Sequence, residues 1–284
     1  MPIKHYTPYT LVILYSLLGS SIIVSDGFGQ WLRSDWKKNV FPIERIEVKA
    51  SADSVEYHIV GTGILILYKN INYIVTNKHI AQMPNLSIGI NTKDPNLPII
   101  HYHFDTMIAL TKEHWRISDV FDIAAIRLGY PSSWGDTLDI LSIGVSLFKP
   151  SSEVFEGAEV YVLGFPLGIG VVTKGKYSPV YRGGIVALKE RNEEFLIDSN
   201  IFPGNSGGPV FTAPQLYNPE AGSIISGGSA AFIGIVYANI TYIDEAYSLQ
   251  TQRKRVTFEE NSGLAKVISS DVIREFLEEY QPDR

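Results

Sequence analysis

The 284-residue sequence contains no cysteine. This absence excludes disulfide bonds, zinc sites built on cysteine and a thiol nucleophile. The sequence also has no excess of basic residues, since its formal net charge is −6 at pH 7 and 19% of its residues are charged. A protein that binds nucleic acid usually carries a strongly basic surface, so we expect no nucleic-acid partner.

A hydrophobic run of full membrane-spanning length is missing at the N-terminus, although a shorter one is present. Residues 10–24 (TLVILYSLLGSSIIV) are apolar or small and carry no charge. A transmembrane helix needs about 20 such residues, whereas about 15 suffice for the core of a signal peptide. We therefore expect residues 1–30 to be a signal peptide or a membrane anchor, with a buried core helix as the alternative. Arg33, Lys37 and Lys38 follow the run while Lys4 precedes it, so the flanking charges leave its orientation open.

Helical periodicity is scarce in the rest of the chain and is clear only in residues 270–280. From about residue 43, short runs rich in Ile, Val, Tyr and Phe are separated by Gly, Asn, Pro and Asp, which is typical of strands. This pattern predicts an all-β fold of the sandwich or barrel type, and a connecting segment at residues 130–150 favours two halves. Residues 212–230 and 240–261 are predicted to be long polar loops. The predicted strands are residues 63–68, 72–76, 86–90, 99–104, 107–111, 123–128, 159–165, 184–188, 195–198, 209–211 and 231–237.

A single serine, Ser206, stands in a segment built to turn sharply. Residues 202–210 (FPGNSGGPV) contain three glycines and two prolines, which allow or impose unusual backbone angles. Ser206 is therefore either a hydrogen-bonding turn residue or a nucleophile. The spacing of Gly204, Ser206 and Gly208 also fits the nucleophile turn of α/β-hydrolases. That fold places its histidine after the serine, whereas all six histidines here precede Ser206, and a strand rather than a helix is predicted to follow.

A serine nucleophile needs a base and a carboxylate, and the sequence offers both in the order His, Asp, Ser. His79 directly follows an apolar strand, which would hold its backbone rigidly. Asp122 leads into the apolar run at residues 123–128, where a carboxylate is costly to bury without a partner. His101 and His103 share one strand face, but a third metal ligand is not indicated. We expect neither a metal nor another cofactor.

At this point the motifs resemble those of trypsin-like serine peptidases, and in particular the protease domain of the bacterial high-temperature-requirement (HtrA/Deg) group. The similarity runs from about residue 61 to residue 280, and its most specific part is the serine loop. The chain ends at residue 284, so we expect the PDZ domain of many relatives to be missing. The matching segments are residues 61–64 (GTGI), 76–79 (TNKH), 122–124 (DIA), 163–168 (LGFPLG), 200–209 (NIFPGNSGGP), 234–236 (GIV), 263–265 (GLA) and 269–276.

The resemblance implies a chymotrypsin-like fold of two six-stranded antiparallel β-barrels with a C-terminal helix. The N-terminal barrel would occupy residues 43–150, the C-terminal barrel residues 151–268 and the helix residues 269–284. His79, Asp122 and Ser206 would form the catalytic triad of a serine endopeptidase that acts on polypeptides. Relatives of this type are exported or anchored in the bacterial periplasm or cell envelope, which we expect here, with the cytoplasm as the alternative.

The resemblance also implies an oxyanion hole and a substrate pocket. The backbone N–H groups of Gly204 and Ser206, with Asn205 between them, would form the oxyanion hole. The walls of the pocket would include four residues without a carboxylate, so we expect a small or medium apolar residue before the cleaved bond. The four are Asn200, Tyr237, Ala238 and Asn239.

Two other functions remain open from the sequence. One is a catalytically silent protease-fold module that binds polypeptides or acts as a chaperone. Another is an esterase that uses the same triad on non-peptide esters. A subtilisin-type order with an aspartate before His79, such as Asp53, would need an α/β fold, and the helical pattern for it is absent.

Overall fold

The computed structural model describes residues 34–49, 54–169, 175–213, 217–218, 223–224 and 230–279. The predicted signal or anchor segment, residues 10–24, lies outside these ranges, as does most of the predicted loop at residues 212–230. Within the described ranges, every helix is too short or too polar to cross a membrane. Export or anchoring through residues 10–24 therefore stays a prediction.

The N-terminal part of the described chain forms an eight-stranded sheet in the order β5-β4-β1-β2-β3-β7-β6, with β8 added in parallel to β2. A 3₁₀ helix at Ser34–Asn39 leads into it. The remaining pairs are antiparallel. The elements are β1 (Val40–Lys49), β2 (Ser54–Tyr68), β3 (Ile71–Thr76), α1 (Lys78–Ala81), β4 (Leu86–Ile90), β5 (Ile100–His103), α2 (Phe104–Thr111), β6 (Arg116–Ile117), β7 (Ala124–Arg127) and β8 (Ile143–Gly144).

The C-terminal part forms a closed barrel in the order β10-β11-β16-β15-β12-β9, in which β9 also pairs with β10. All of its pairs are antiparallel. Helix α3 follows the last strand, and the Ser269 hydroxyl caps its first turn by accepting a hydrogen bond from the Val272 N–H. The elements are β9 (Glu159–Gly164), β10 (Val180–Leu188), β11 (Glu194–Asp198), β12 (Pro209–Thr212), β13 (Tyr217–Asn218), β14 (Ser223–Ile224), β15 (Ala231–Tyr247), β16 (Lys254–Ser269) and α3 (Ser270–Glu278).

One of the hydrophobic cores spans the sheet and the barrel. Ile64 and Val75 of the sheet belong to the same buried cluster as Phe211 and Phe232 of the barrel. The ring of Trp36 packs on that of Phe211, with 4.2 Å between the ring centroids. Burial of such side chains stabilises a fold by about 1.5–3 kcal/mol each. A shared core therefore holds the sheet and the barrel against each other and makes their contact region rigid.

The all-β class, the six-stranded C-terminal barrel and the C-terminal helix are confirmed. The N-terminal part was expected to be a six-stranded barrel and is instead an eight-stranded sheet. The difference comes from two strands of two residues each, β6 and β8. Strand β8 lies in the segment at residues 130–150 that the sequence predicted to be only a connection, and its pairing with β2 is parallel.

Two further expectations were wrong. Residues 107–111, predicted to be a strand, belong to helix α2, in which Phe104 and Met107 are buried one turn apart. A short apolar run in the sequence is compatible with both a strand and a buried helical turn, so it does not distinguish between them. Residues 240–261, predicted to be a loop, are most of a long hairpin between β15 and β16. Because both faces of this hairpin are largely exposed, its strands lack the apolar alternation that would have revealed them.

Candidate active site

His79 and Asp122 are brought together by the pairing of two neighbouring strands. Thr76 at the end of β3 lies opposite Ala124 at the start of β7. His79 follows β3 by three residues and Asp122 precedes β7 by two, so both lie at the same end of this pair. The His79 Nδ1 is 2.6 Å from the Asp122 Oδ2, and the His79 backbone N–H donates to Oδ1 over 3.0 Å. The carboxylate therefore fixes both the ring and the backbone of the histidine.

The turn that carries Asp122 is held by hydrogen bonds from both of its sides. The Asn77 side-chain amide donates to the Asp122 carbonyl oxygen over 2.9 Å. The Ser118 hydroxyl accepts from the N–H groups of Val120 and Phe121, and the Lys78 ammonium donates to the Ser118 carbonyl oxygen. A carboxylate on such a constrained turn keeps its orientation when the histidine changes its protonation state.

The Asp122 carboxylate is arranged to stay ionised. Its burial alone would raise its pKa, but the hydrogen bonds from the ring and the backbone of His79 outweigh that cost and hold the pKa below its usual range. The Asp122 side chain is 25% exposed and that of His79 is 43% exposed. The carboxylate thus lies behind a ring that a ligand can reach.

Ser206 stands in a turn at residues 203–208, here called the serine turn, which requires glycine at two positions. Gly204 has a φ of +96° and Gly207 a φ of +81°, both in the region that disfavours other residues. The Gly208 N–H donates to the Asn205 carbonyl oxygen over 2.7 Å and closes the turn. Gly207 and Gly208 also exchange backbone hydrogen bonds with Val236 of β15, so the barrel holds the turn.

The serine turn is also fastened to the N-terminal sheet through Thr62. The Thr62 N–H donates to the Ser206 carbonyl oxygen over 2.8 Å, and its hydroxyl donates to the Gly204 carbonyl oxygen over 2.7 Å. The Thr76 hydroxyl donates in turn to the Thr62 carbonyl oxygen over 2.8 Å. Since Thr76 precedes His79 by three residues, the segments that carry Ser206 and His79 meet on the same two strands.

The backbone of the serine turn leaves two donors unused. The N–H groups of Asn205, Gly207 and Gly208 donate to carbonyl oxygens. The N–H groups of Gly204 and Ser206 have no acceptor among the described residues. Likewise, no hydrogen bond within the described chain joins the Ser206 hydroxyl to the His79 ring. Free N–H groups on a turn at a serine and two residues before it are able to bind a negatively charged oxygen.

The four residues expected to line a substrate pocket lie on β15 and just after β11 of the barrel. Tyr237 lines a cavity of about 290 Å³ together with residues of β10, β11 and β16. Asn200 follows β11, while Ala238 and Asn239 lie on β15 opposite Lys266 and Ala265. These three residues are not part of that cavity's wall.

The Tyr237 hydroxyl is influenced by the charge of Asp122. Burial raises the pKa of its hydroxyl, as do the charge of Glu194, a hydrogen bond with Glu194 and the charge of Asp122. Tyr237 therefore links Glu194, the first residue of β11, to the surroundings of Asp122, a link that the sequence did not suggest.

Thr62 and Thr76 were missed as site residues, although both lay in motifs used for the resemblance. Both side chains are completely buried. A hydroxyl in an otherwise apolar strand costs free energy unless it is hydrogen-bonded, so each is a signal of a specific partner. The sequence contains that signal but does not identify the partner.

The described residues include no cluster of three or more His, Asp and Glu side chains able to hold a metal ion. His101, which had been weighed as a metal ligand, instead contacts a buried carboxylate, with 2.9 Å between its Nδ1 and the Glu44 Oε2. His103 is exposed on the same strand.

Comparison with known proteins gives one family match and several structural ones. The family model for the trypsin-like peptidase domain matches residues 61–215. A structure of the HtrA-type protease AlgW with a decapeptide has a TM-score of 0.50 at 15% identity, covering 86% of this chain and 66% of that one. A structure of AlgW with a tripeptide has a TM-score of 0.48 at 17% identity, covering 86% and 60%. The chain thus spans less than two thirds of the length of these structures.

At these identities the structural similarity concerns the fold alone. No curated protein matches the chain in sequence. The family match, in contrast, includes His79, Asp122 and Ser206 and extends over more than half of the 284 residues. The protein therefore belongs to the family of trypsin-like peptidase domains.

Proposed function

We propose that the protein is a serine endopeptidase that hydrolyses peptide bonds through an acyl-enzyme intermediate. Ser206 is the nucleophile, His79 the general base and acid, and Asp122 the residue that orients and stabilises the histidine. The observation that carries the proposal is the 2.6 Å contact between His79 and Asp122. Thr76, just before His79, is hydrogen-bonded to Thr62, which in turn holds the serine turn.

The pairing with Asp122 prepares His79 to take a proton from serine. Because Nδ1–H donates to the carboxylate, Nε2 carries a free lone pair and faces away from Asp122. Ser206 attacks the carbonyl carbon of the substrate and its proton passes to Nε2. The Asp122 carboxylate, whose pKa is held low, stays ionised and stabilises the imidazolium that forms.

The free N–H groups of Gly204 and Ser206 bind the oxygen of the tetrahedral intermediate. When the intermediate collapses, the C–N bond breaks and the proton on Nε2 passes to the leaving amine. Water then attacks the acyl-enzyme with His79 again as base, which releases the acid product and restores the serine. No hydrogen bond among the described residues joins the Ser206 hydroxyl to His79, and such bonds often tighten only when substrate binds.

The substrates in this proposal are polypeptides. The similar AlgW structure with a TM-score of 0.50 holds a decapeptide, which supports a peptide ligand for this fold. Of the four residues assigned to the pocket wall, none carries a charge, so a small or medium apolar residue is preferred before the cleaved bond. The cavity beside Tyr237 is also lined by four charged residues, Glu190, Arg191, Glu194 and Lys266, of which Glu194 forms a hydrogen bond with Tyr237.

The test is covalent labelling with a fluorophosphonate, which reacts with an activated serine. We expect the wild-type protein to be labelled, Ser206→Ala and His79→Ala to remain unlabelled, and the exposed Ser152→Ala to react like the wild type. Folded wild-type protein that is not labelled would instead support the silent binding module. Side-by-side cleavage of matched peptide amides and esters separates the endopeptidase from an esterase.

A further inference from the structure

A completely buried carboxylate, Glu44, lies in the N-terminal sheet outside the triad. Strand β1 places it opposite Ser87 of β4, whose hydroxyl donates to Oε2 over 2.9 Å. The His101 Nδ1 lies 2.9 Å from the same oxygen. The Tyr177 hydroxyl donates to the other oxygen, Oε1, over 2.7 Å. Burying an ionisable group away from water costs free energy unless the group is hydrogen-bonded. The three partners of the Glu44 carboxylate supply these hydrogen bonds, and such a satisfied network holds its members rigidly.

Tyr177 does not belong to this sheet, because it lies in the connection between β9 and β10 of the barrel. Its N–H donates to the Asn91 side-chain oxygen over 2.9 Å, and the Asn91 amide donates back to the Tyr177 carbonyl oxygen over 2.8 Å. Its ring covers Gly89 so closely that a Cβ there would be 2.3 Å from a ring carbon. The sheet is thus shaped to hold one tyrosine of the neighbouring barrel.

The Tyr177 ring also packs against Phe165 in an edge-to-face arrangement, with 6.1 Å between the ring centroids. Phe165 is completely buried and borders the serine turn, because a Cβ on Gly204 would be 2.2 Å from the Phe165 carbonyl oxygen. Two residues further on, the Leu167 N–H donates to the Pro203 carbonyl oxygen over 2.6 Å. The backbone on both sides of the Pro203–Gly204 peptide therefore rests on this connection.

We propose that Tyr177, anchored by Glu44, is a positioning residue for the serine turn of the proposed endopeptidase, and in particular for the Gly204 N–H of its oxyanion hole. The hydroxyl fixes the ring on the N-terminal sheet, the ring fixes Phe165, and Phe165 with Leu167 fixes the peptide whose N–H belongs to Gly204. Burial, followed by the hydrogen bond and the charge of Glu44, raises the pKa of the Tyr177 hydroxyl, so it stays protonated and acts as the donor. Tyr177 touches no reacting atom and acts only through Phe165.

This inference rests on the proposed function, and its test compares three tyrosine variants. Tyr177→Leu removes both the ring contact and the hydroxyl, whereas Tyr177→Phe removes the hydroxyl alone. Tyr102→Phe is the matched control, since Tyr102 is buried in the same sheet and its hydroxyl has no hydrogen-bond partner within the described chain. The readouts are the rate of fluorophosphonate labelling, kcat and KM for one peptide substrate, and the affinity for a peptide boronic acid, which mimics the tetrahedral intermediate.

We expect Tyr177→Leu to lower the labelling rate and kcat by about 10–100-fold, because a displacement of about 1 Å costs a catalytic group up to about 100-fold. Tyr177→Phe is expected to lose about 3–10-fold on the same scale, and Tyr102→Phe to match the wild type. KM should stay within about twofold while the boronic acid binds more weakly in proportion to kcat, since only the charged intermediate uses the displaced donor. Glu44→Gln, which keeps an oxygen acceptor for the tyrosine, should retain most of the wild-type rate.

The inference is overturned if folded Tyr177→Phe labels as fast as the wild type, or if its loss only follows the unfolded fraction in a melting curve. A rise in KM with unchanged kcat also overturns it, since that indicates a binding role. If Tyr177→Leu does not fold, the result for Tyr177→Phe decides. Absence of labelling in the wild type instead refutes the proposed function, so the two failures are distinguishable.

Discussion

The Thr62 hydroxyl donates a 2.7 Å hydrogen bond to the carbonyl oxygen of Gly204, which is 142 residues further along the chain. The same hydroxyl oxygen accepts from the Phe165 N–H over 3.3 Å. One buried side chain of the N-terminal sheet thus satisfies two backbone groups of the barrel, beside the serine turn. This relationship joins the part that carries His79 and Asp122 to the part that carries Ser206.

Replacing Thr62 by valine keeps the shape of the side chain and removes the hydroxyl. The carbonyl oxygen of Gly204 and the N–H of Phe165 then lose a partner in a buried place, which costs about 1–3 kcal/mol for such groups. We expect the free energy of unfolding in urea to fall by that amount, and kcat to fall because Gly204 loses a constraint. Thr62→Ser, which keeps the hydroxyl, should preserve most of both, and equal losses in the two variants would contradict this role.

Gly204→Ala tests the turn itself. Alanine at a φ of +96° is strained by about 1–2 kcal/mol, and its Cβ would lie 2.2 Å from the Phe165 carbonyl oxygen. We expect the turn to shift and kcat for peptide cleavage to fall by about 100-fold or more, the effect of losing one oxyanion donor. Gly157→Ala is the matched control, because Gly157 has a φ of +81° but nothing within 4 Å of its added Cβ. A kcat for Gly204→Ala as high as that for Gly157→Ala would contradict a catalytic role for the turn at Gly204.

The sequence predicts most reliably those parts of the site that depend on neighbouring strands. His79 and Asp122 each adjoin an apolar strand, and the pairing of β3 with β7 brings them together. The glycines around Ser206 predict a turn with positive φ angles, because few other residues adopt such angles. The apolar strands beside His79 and Asp122 and the glycine-rich turn are local features, so composition and spacing reveal them, whereas the pairing of β3 with β7 is not local.

Contacts between distant segments could not be read in the same way. Tyr177 reaches Glu44 across 133 positions and Thr62 reaches Gly204 across 142, and nothing in the local pattern of either residue identifies its partner. The hairpin of β15 and β16 was not predicted for another reason, because strands with two exposed faces have no alternation of apolar and polar residues. The small β8 was missed because two residues are too few to produce a pattern.

Asp122→Asn tests the low pKa of the carboxylate. A carboxyl whose pKa is lowered in the folded protein stabilises it fully above the unfolded pKa of about 3.9, and this contribution disappears as the pH falls through the folded value. We therefore expect the wild type to be more stable than Asp122→Asn at pH 6–7, with a difference that shrinks steadily below about pH 4. Urea unfolding of both proteins across this range measures it.

The same substitution should almost abolish activity without changing the fold. An amide at position 122 still accepts from the His79 backbone N–H, but its NH₂ group would face Nδ1 and favour the wrong tautomer, which costs about 10⁴-fold in kcat in such triads. Asp119→Asn is the control, because Asp119 is exposed in the same turn and makes no contact with His79 among the described residues. A stability difference that stays constant from pH 7 to pH 3, or a kcat near that of the wild type, would show that the Asp122 carboxylate does not hold His79 in the way the 2.6 Å contact implies.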